Sequence, residues 1–393
     1  MSSDPVVILS ARRTPVGAFQ GALAAVTAPQ LGAVAIRAAI ADSGLRPADI
    51  DEVIMGCVLS AGLGQAPARQ AALGGGLPTG TPTTTVNKMC GSAMRAVMLA
   101  SDQILAGSAQ VIVAGGLESM TNAPYLLPKA RAGYRMGHQE VLDHMFFDGL
   151  QSPWDGQLMG CFAEATAGKY DFTRQAQDEF ATESVRRAKS AIAGGSFDAE
   201  VAPVSTKTRK GQVLVDKDET PSTLDAAKIP SLKPAFRKDG TVTAASSASI
   251  SDGAAALVLA RESLATANGL RPLARILGYT SFATDPEWFT LAPVGAIQKL
   301  LARLKWQASD VDLYEVNEAF AVVAMAAIKD VGLDHAKVNV NGGACALGHP
   351  IGATGARILT TLIYALKSRG KQRGIASLCI GGGEATAIAV ELI

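Results

Sequence analysis

Little in this sequence is equipped to cross-link the chain, hold a metal or sit on a polyanion. Its 393 residues include five cysteines, an odd number at no repeating spacing, which suits neither a disulfide framework nor a zinc site. Unpaired thiols fit a reducing compartment, where one or two are free to do chemistry. Charge of one sign is also missing. Lys and Arg total 36 against 35 Asp and Glu, whereas neutralising nucleic-acid phosphates needs a basic excess. The longer apolar stretches are rich in Ala and Gly and broken by charges, so no membrane span is expected. Residues 1–13 carry no basic segment ahead of a long apolar one, and residues 390–393 are not a peroxisomal tripeptide. A cytoplasmic protein is the expectation. There is no metal-ligand cluster and no Walker motif. Gly62-Leu63-Gly64 lacks the third glycine of a dinucleotide fingerprint, and Gly381-Gly382-Gly383 comes too near the C-terminus for a βαβ nucleotide unit.

What is present is alternation. Residues 6–9 are strand-like. Thr27 to Ser43 reads as a helix, with Pro29 in its first turn and Gly44 as its stop. Strand-like residues 53–59 and helix-like residues 65–73 follow. The β-branched run 83–86 leads to Cys90, a helix covers 93–105, and strand 111–114 ends at Gly115-Gly116. Such alternation predicts an α/β domain with a largely parallel sheet. A second α/β block starts near Ser251-Asp252-Gly253 and contains strands at 375–380 and 385–392. In both blocks a Val-Asn pair (Val86-Asn87, Val338-Asn339) precedes a turn, a helix, a strand, glycines and a glutamate, which hints at internal duplication. Residues 120–250 differ, with a disproportionate share of the charge, a surface helix after Thr173 and a hairpin tip at Thr206 to Gly211. The predicted division is 1–120, an inserted segment 121–250 that supplies substrate contacts, and 251–393. The basic cluster 207–210 is read as a solvated turn in preference to a phosphate site.

Three side chains stand out. Cys90, in Asn87-Lys88-Met89-Cys90-Gly91-Ser92, lies where a β-run hands over to a helix, and helix-end charge there favours a thiolate. Position alone leaves nucleophile and buried structural thiol equally open. His349 lies in a glycine-rich run, with Pro350 suited to a helix's first turn, where a neutral imidazole could take a thiol proton. It is one of only four histidines. Cys379 ends a strand before three glycines whose N–H groups could face an oxyanion, although a core cysteine is the plainer reading. Cys57 looks like a core-strand thiol, and Cys161 and Cys345 carry no functional case. Asn317, in Asn317-Glu318-Ala319-Phe320, is equally a plain helix cap.

Taken in order, the segments around Cys90, Asn317, His349 and Cys379, with Ala114-Gly115-Gly116-Leu117-Glu118-Ser119-Met120, resemble the thiolase family over essentially the whole chain. The resemblance implies two similar α/β halves in a five-layer αβαβα sandwich with an inserted loop domain. It implies an acyl-CoA:acetyl-CoA C-acyltransferase that condenses two acetyl-CoA to acetoacetyl-CoA plus CoA, reversibly. Cys90, activated by His349, would carry the acyl group, and Cys379 would move the α-proton. One oxyanion hole would use His349 with a water held by Asn317, the other the N–H groups of Cys90 and Gly381. Substrate contacts are implied at Leu150, Met159, Phe236, Ala244, Ala248, Ala319 and Phe320. CoA thioesters enter as substrates, with no tightly bound cofactor and no metal. A homo-oligomer is implied, dimer or homotetramer, with a role in fatty acid metabolism. Leu158 replaces a frequent His, and Ala245-Ser246-Ser247-Ala248 replaces a Gly-Asn-Ala-Ser stretch that contacts pantetheine. Ala93 stands where Gly is frequent, and an adenine-side Arg has no counterpart near Pro221-Ser222. The alternatives are a thiolase of longer or modified acyl chains and, more remotely, a non-catalytic CoA- or lipid-binding relative. A decarboxylating ketosynthase, with two histidines beside its Cys, is disfavoured by Cys379 and Asn317.

Overall fold

The computed structural model describes residues 4–208 and 211–393. Residues 1–3, and Arg209 and Lys210 of the basic cluster, lie outside the described residues. The first half comprises β1 (Val6–Arg13), α1 (Ala28–Ser43), β2 (Glu52–Gly56), α2 (Pro67–Gly74), β3 (Thr83–Val86), α3 (Ser92–Ala106) and β4 (Val111–Ser119). Two helices of the following segment, α4 (Met159–Tyr170) and α5 (Arg174–Ala193), precede β5 (Ser251–Arg261), which returns to the first half's sheet. The second half follows with β6 (Ala274–Ala283), α6 (Ala292–Leu304), β7 (Leu313–Val316), α7 (Ala321–Val331), α8 (Thr354–Ser368), β8 (Arg373–Ile380) and β9 (Glu384–Leu392). Local signals set several boundaries. Pro29 occupies the first turn of α1, and Gly44 stops it in a left-handed conformation at φ 79°. The Thr173 hydroxyl accepts from the Ala176 N–H and caps α5.

The strand order is β7-β8-β9-β6-β1-β5-β4-β2-β3. The expected largely parallel sheet is corrected here. Among the described strand pairs of this sheet, β3–β2, β2–β4 and β7–β8 run parallel. The pairs β4–β5, β5–β1, β1–β6, β6–β9 and β9–β8 are antiparallel. Helical crossovers place strands parallel, as α2 and α3 do, whereas β8 turns straight into β9 through Gly382 (φ 97°) and Gly383 (φ 92°). The two halves of the sheet meet at β1 and β6, paired at only Val7–Arg275 and Ile8–Ala274.

Three apolar clusters define the layers. Leu31, Ile36, Val113 and Val258 join α1 and α2 to one face of the first half. Val97, Ile104, Leu359 and Leu362 place α3 and α8 between the two halves, against Leu257 on one side and Leu378 on the other. Ile297, Leu300, Val322 and Ile375 close the far side with α6 and α7. The result is helix, sheet, helix, sheet, helix. Each half also repeats a small hydrogen-bond device. The Asp51 carboxylate accepts from the N–H groups of Gln110 (2.7 Å) and Val111 (2.9 Å), and Asp312 accepts from those of Gln372 (3.0 Å) and Arg373 (2.9 Å).

The segment between the halves is fastened by buried charge. Arg13 of β1, fully buried, pairs with Glu200 at 2.6 Å and Asp218 at 2.7 Å. Its hairpin pairs Val204–Thr208 with Gly211–Val215. Among the described residues no helix is long and apolar enough to cross a membrane.

Candidate active site

Cys90 sits in the short loop from β3 to α3, held by Ser92. The Ser92 hydroxyl donates to the Met89 carbonyl (2.6 Å) and accepts from the Lys88 N–H (2.9 Å). Met89 adopts a left-handed φ of 47°, unusual for a side-chain-bearing residue and a mark of a backbone held by its surroundings. The Gly381 N–H and its own N–H face the Cys90 sulfur and favour its anion. Burial outweighs them, pushing the thiol up to about 11, with the Glu118 charge adding to the rise. The thiolate expected from the helix end is therefore not the resting form. A base is required.

His349 is buried, but not at a helix start. The chain leaves a short helix at Ala344–Leu347, runs through Gly348 (φ 106°) and reaches α8 only at Thr354. Pro350 thus precedes the helix instead of opening it. The imidazole is neutral because burial, and secondarily Arg357, lowers it to about 3. The Thr354 hydroxyl donates to the Pro350 carbonyl (2.9 Å), so its oxygen accepts from His349 Nδ1 at 2.6 Å. That bond pattern assigns the proton to Nδ1 and leaves Nε2 an acceptor. Nε2 is buried without a partner among the described residues.

Asn317 is likewise not a helix cap, since α7 begins only at Ala321. It follows β7, its N–H bonded to Ser377 of β8 (3.0 Å), and its side-chain nitrogen and oxygen are both buried without a partner among the described residues. A buried amide with neither atom bonded is costly in a fold that does not use it. Cys379 is fully buried near the end of β8, and its thiol is raised by burial and by the proximity of Cys90. Cys57 lies against Glu118, Cys345 against the Glu318 carbonyl, and Cys161 on α4. Among the described residues no group of three or more His, Cys, Asp or Glu side chains is placed to hold a metal ion.

A largely apolar cavity of about 190 Å³ adjoins His349. Five of the expected contact residues line it: Leu150, Met159, Phe236, Ala248 and Phe320. Ala244 is exposed, and Ala319 contributes a carbonyl to the Ala248 N–H (3.0 Å). Neither lines the cavity. Met159 links the cavity to the Cys90 side of the site, its sulfur 3.6 Å from where a Cβ on Gly381 would stand. Ile351 packs in one cluster with Cys90 and Leu150 while also lining the cavity. Met120, Phe146, Leu158, Ile250 and Ile351 complete the apolar wall. Sequence reasoning singled out only Leu158 among them, as a departure from a frequent His, because apolar residues on five separate segments carry no shared spacing. Thr354, which sets the tautomer of His349, was also missed.

Residues 6–263 match the description "Thiolase, N-terminal domain", and residues 270–392 match "Thiolase, C-terminal domain". The chain is 51% identical over 387 residues to an acetyl-CoA acetyltransferase of Escherichia coli, covering 98% of each chain. It is 50% identical over 390 residues to one of Cupriavidus necator, covering 98% of this chain and 99% of that protein. In three dimensions it is similar to the Bacillus anthracis acetyl-CoA acetyltransferase, with TM-score 0.97, 43% identity and 99% coverage of each chain. It also resembles a thiolase from Ascaris suum in complex with coenzyme A, with TM-score 0.94, 42% identity and coverage of 99% and 100%.

Proposed function

The chain belongs to the thiolase family, and on that premise we propose that it is an acetyl-CoA acetyltransferase, condensing two acetyl-CoA to acetoacetyl-CoA and CoA in a reversible reaction. The observation that carries this is near-full-length similarity to acetyl-CoA acetyltransferases at about half identity. The longer-chain alternative is not favoured by it.

In the proposed mechanism His349 Nε2 takes the Cys90 proton, and the thiolate attacks the thioester carbonyl of the first acetyl-CoA. The unprotonated Nε2 and the raised thiol support that division of labour. The departing CoA sulfur takes a proton from the Cys379 thiol, leaving acetyl-Cys90, a Cys379 thiolate and protonated His349. Cys379 then removes an α-proton from the second acetyl-CoA, and the carbanion attacks the Cys90 thioester. Acetoacetyl-CoA forms, and the departing Cys90 sulfur regains its proton from His349, which restores the starting state of the site. Oxyanion donors are supported at the N–H groups of Cys90 and Gly381, which already face the sulfur. A second set is supported by protonated His349 and by a water on the unpartnered Asn317 amide. CoA thioesters are substrates in this reading, with no tightly bound cofactor.

The reading extends to a cytoplasmic homo-oligomer, dimer or tetramer, acting in fatty acid metabolism. Five free cysteines support the compartment. Exposed apolar side chains in one stretch, Tyr125, Met136, Phe147 and Trp154, support self-association. The test is incubation with acetyl-CoA followed by mass spectrometry of the Cys90 peptide. An acetyl adduct on Cys90, absent in Cys90→Ser together with turnover, is expected. Wild-type turnover in Cys90→Ser would sink the mechanism.

A further inference from the structure

Glu118, at the end of β4, is wholly buried and has no part in the mechanism above. Its carboxylate accepts three backbone N–H bonds. Two come from Val58 and Leu59 of the first half, both at 3.1 Å, and one from Gly352 of the second half, at 2.8 Å. Val58 and Leu59 belong to the apolar cluster that holds Met89 and Cys90. Gly352 belongs to the loop that carries His349. That loop has no slack at this point, because a Cβ on Gly352 would stand 2.6 Å from the Glu118 carboxylate and 3.1 Å from the Cys57 Cα. We propose that Glu118 is a positioning residue, its ionised carboxylate setting the His349 loop of one half against the Cys90 loop of the other. The proposal rests on the acetyltransferase reading for its kinetic consequence but not for its geometry.

The three donors explain why the charge matters. A carboxylate meets every N–H with a lone pair, whereas a protonated acid or an amide turns one donor towards another. The titratable groups that feel Glu118 are the Cys57 thiol just past β2 and the Cys90 thiol, both raised chiefly by burial and further by its charge. Burial brings Glu118 itself up to about 7, against the pull of the Leu59, Val58 and Gly352 N–H groups and the Cys57 thiol. The clamp therefore loosens as pH falls through neutrality.

The experiment compares wild type, Glu118→Gln and Glu118→Asp as full chains. It measures kcat and KM for acetyl-CoA condensation from about pH 6 to about pH 9, and substrate-free alkylation of Cys90 by iodoacetamide, read by mass spectrometry. In Glu118→Gln, kcat is expected to fall about 10- to 100-fold with KM nearly unchanged. Its acid limb near neutrality should disappear, and Cys90 alkylation at pH 8 should quicken about two- to fivefold. Glu118→Asp keeps the charge but not the reach, so its alkylation profile should follow wild type while kcat stays reduced. Wild-type kcat and an unshifted alkylation profile in Glu118→Gln overturn the proposal. So does a loss confined to KM. Should Glu118→Gln not fold, a wild-type kcat flat across neutrality, or full activity in Glu118→Asp, overturns it instead. Absence of acetyl-Cys90 in the wild type would overturn the acetyltransferase reading alone, since alkylation needs no substrate.

Discussion

The two halves of the molecule share a frame but meet each other with opposite chemistry. Counted from Val111 and Arg373, the residues bonded by the equivalent Asp51 and Asp312, Glu118 and Ile380 stand the same number of residues along their strands. Each reaches across to the other half's candidate catalytic loop. Ile380 presses on Gly91, where a Cβ would stand 2.4 Å from its tip, and Glu118 presses on Gly352. One contact is apolar and insensitive to pH, and the other is a charge held by N–H groups. The two crossings share a geometry, and the side chain at that one position makes them differ in chemistry.

The comparison is broken most forcefully by removing the chemistry of each half in turn. Cys90→Ser in the first half and His349→Ala in the second are each expected to lower kcat at least about a thousandfold. Removing both should cost little more than either alone, because the groups act as a unit. Independent, multiplying losses in steady-state assays would separate the halves functionally.

Next in size is an effect of pH on stability. His349 is depressed to about 3 when folded, below its ordinary value of 6.5. Its contribution is present above the unfolded value and is lost as pH falls towards the folded one. Glu118 is raised to about 7 from 4.5, so its contribution is present at low pH and is lost as pH rises through 7. The halves thus pull in opposite directions between about pH 4.5 and about pH 6.5. Replacing His349 with Gln should make denaturation midpoints less acid-sensitive, by up to a few kcal/mol at the acid end. An unchanged pH slope in His349→Gln would contradict the sign.

Smaller still is steric. Gly352→Ala meets a bonded carboxylate and the backbone of Cys57, whereas Gly91→Ala meets chiefly the flexible end of Ile380. Urea denaturation should show Gly352→Ala costing about 3 kcal/mol and Gly91→Ala about 1 kcal/mol. The reverse order would mean that the apolar crossing is the tighter one. Ile380→Val, the mildest probe, should cost about 1 kcal/mol. It should leave the pH dependence of Cys90 alkylation unmoved, in contrast to Glu118→Gln.

Much of this frame was legible beforehand, and the failures have physical causes. Periodicity and caps located α1, α3 and α5, and the β-branched run gave β3 to the residue. Strand β4 runs on to Ser119, past the Gly115-Gly116 pair at which the sequence reading ends it. There the glycines let strands approach closely, a Cβ on Gly115 falling 2.0 Å from the Ala255 carbonyl. Strand direction was misread because alternation reports helical crossovers and is silent on a tight turn such as that after Cys379. At the site, residue types near Cys90, Asn317, His349 and Cys379 were visible. Their ionisation was not, because desolvation comes from segments distant in sequence. It reversed the expected state of the Cys90 thiol and replaced the helix dipole as the cause of a neutral His349.

The return of β5 to the first half has a consequence for how the chain is made. Thr14, just after β1, hydrogen-bonds Ala254 of β5 across 240 residues of sequence. At about 5–20 residues per second, the first strand waits roughly 12–50 s on the ribosome for its neighbour. For the part of that interval after its own synthesis, β4 also lacks the strand that covers its open edge. The nascent first half therefore leaves β1 without any sheet partner and one edge of β4 open until the inserted segment has been synthesised, which makes that segment's length a factor in how often chains reach the native state instead of aggregating.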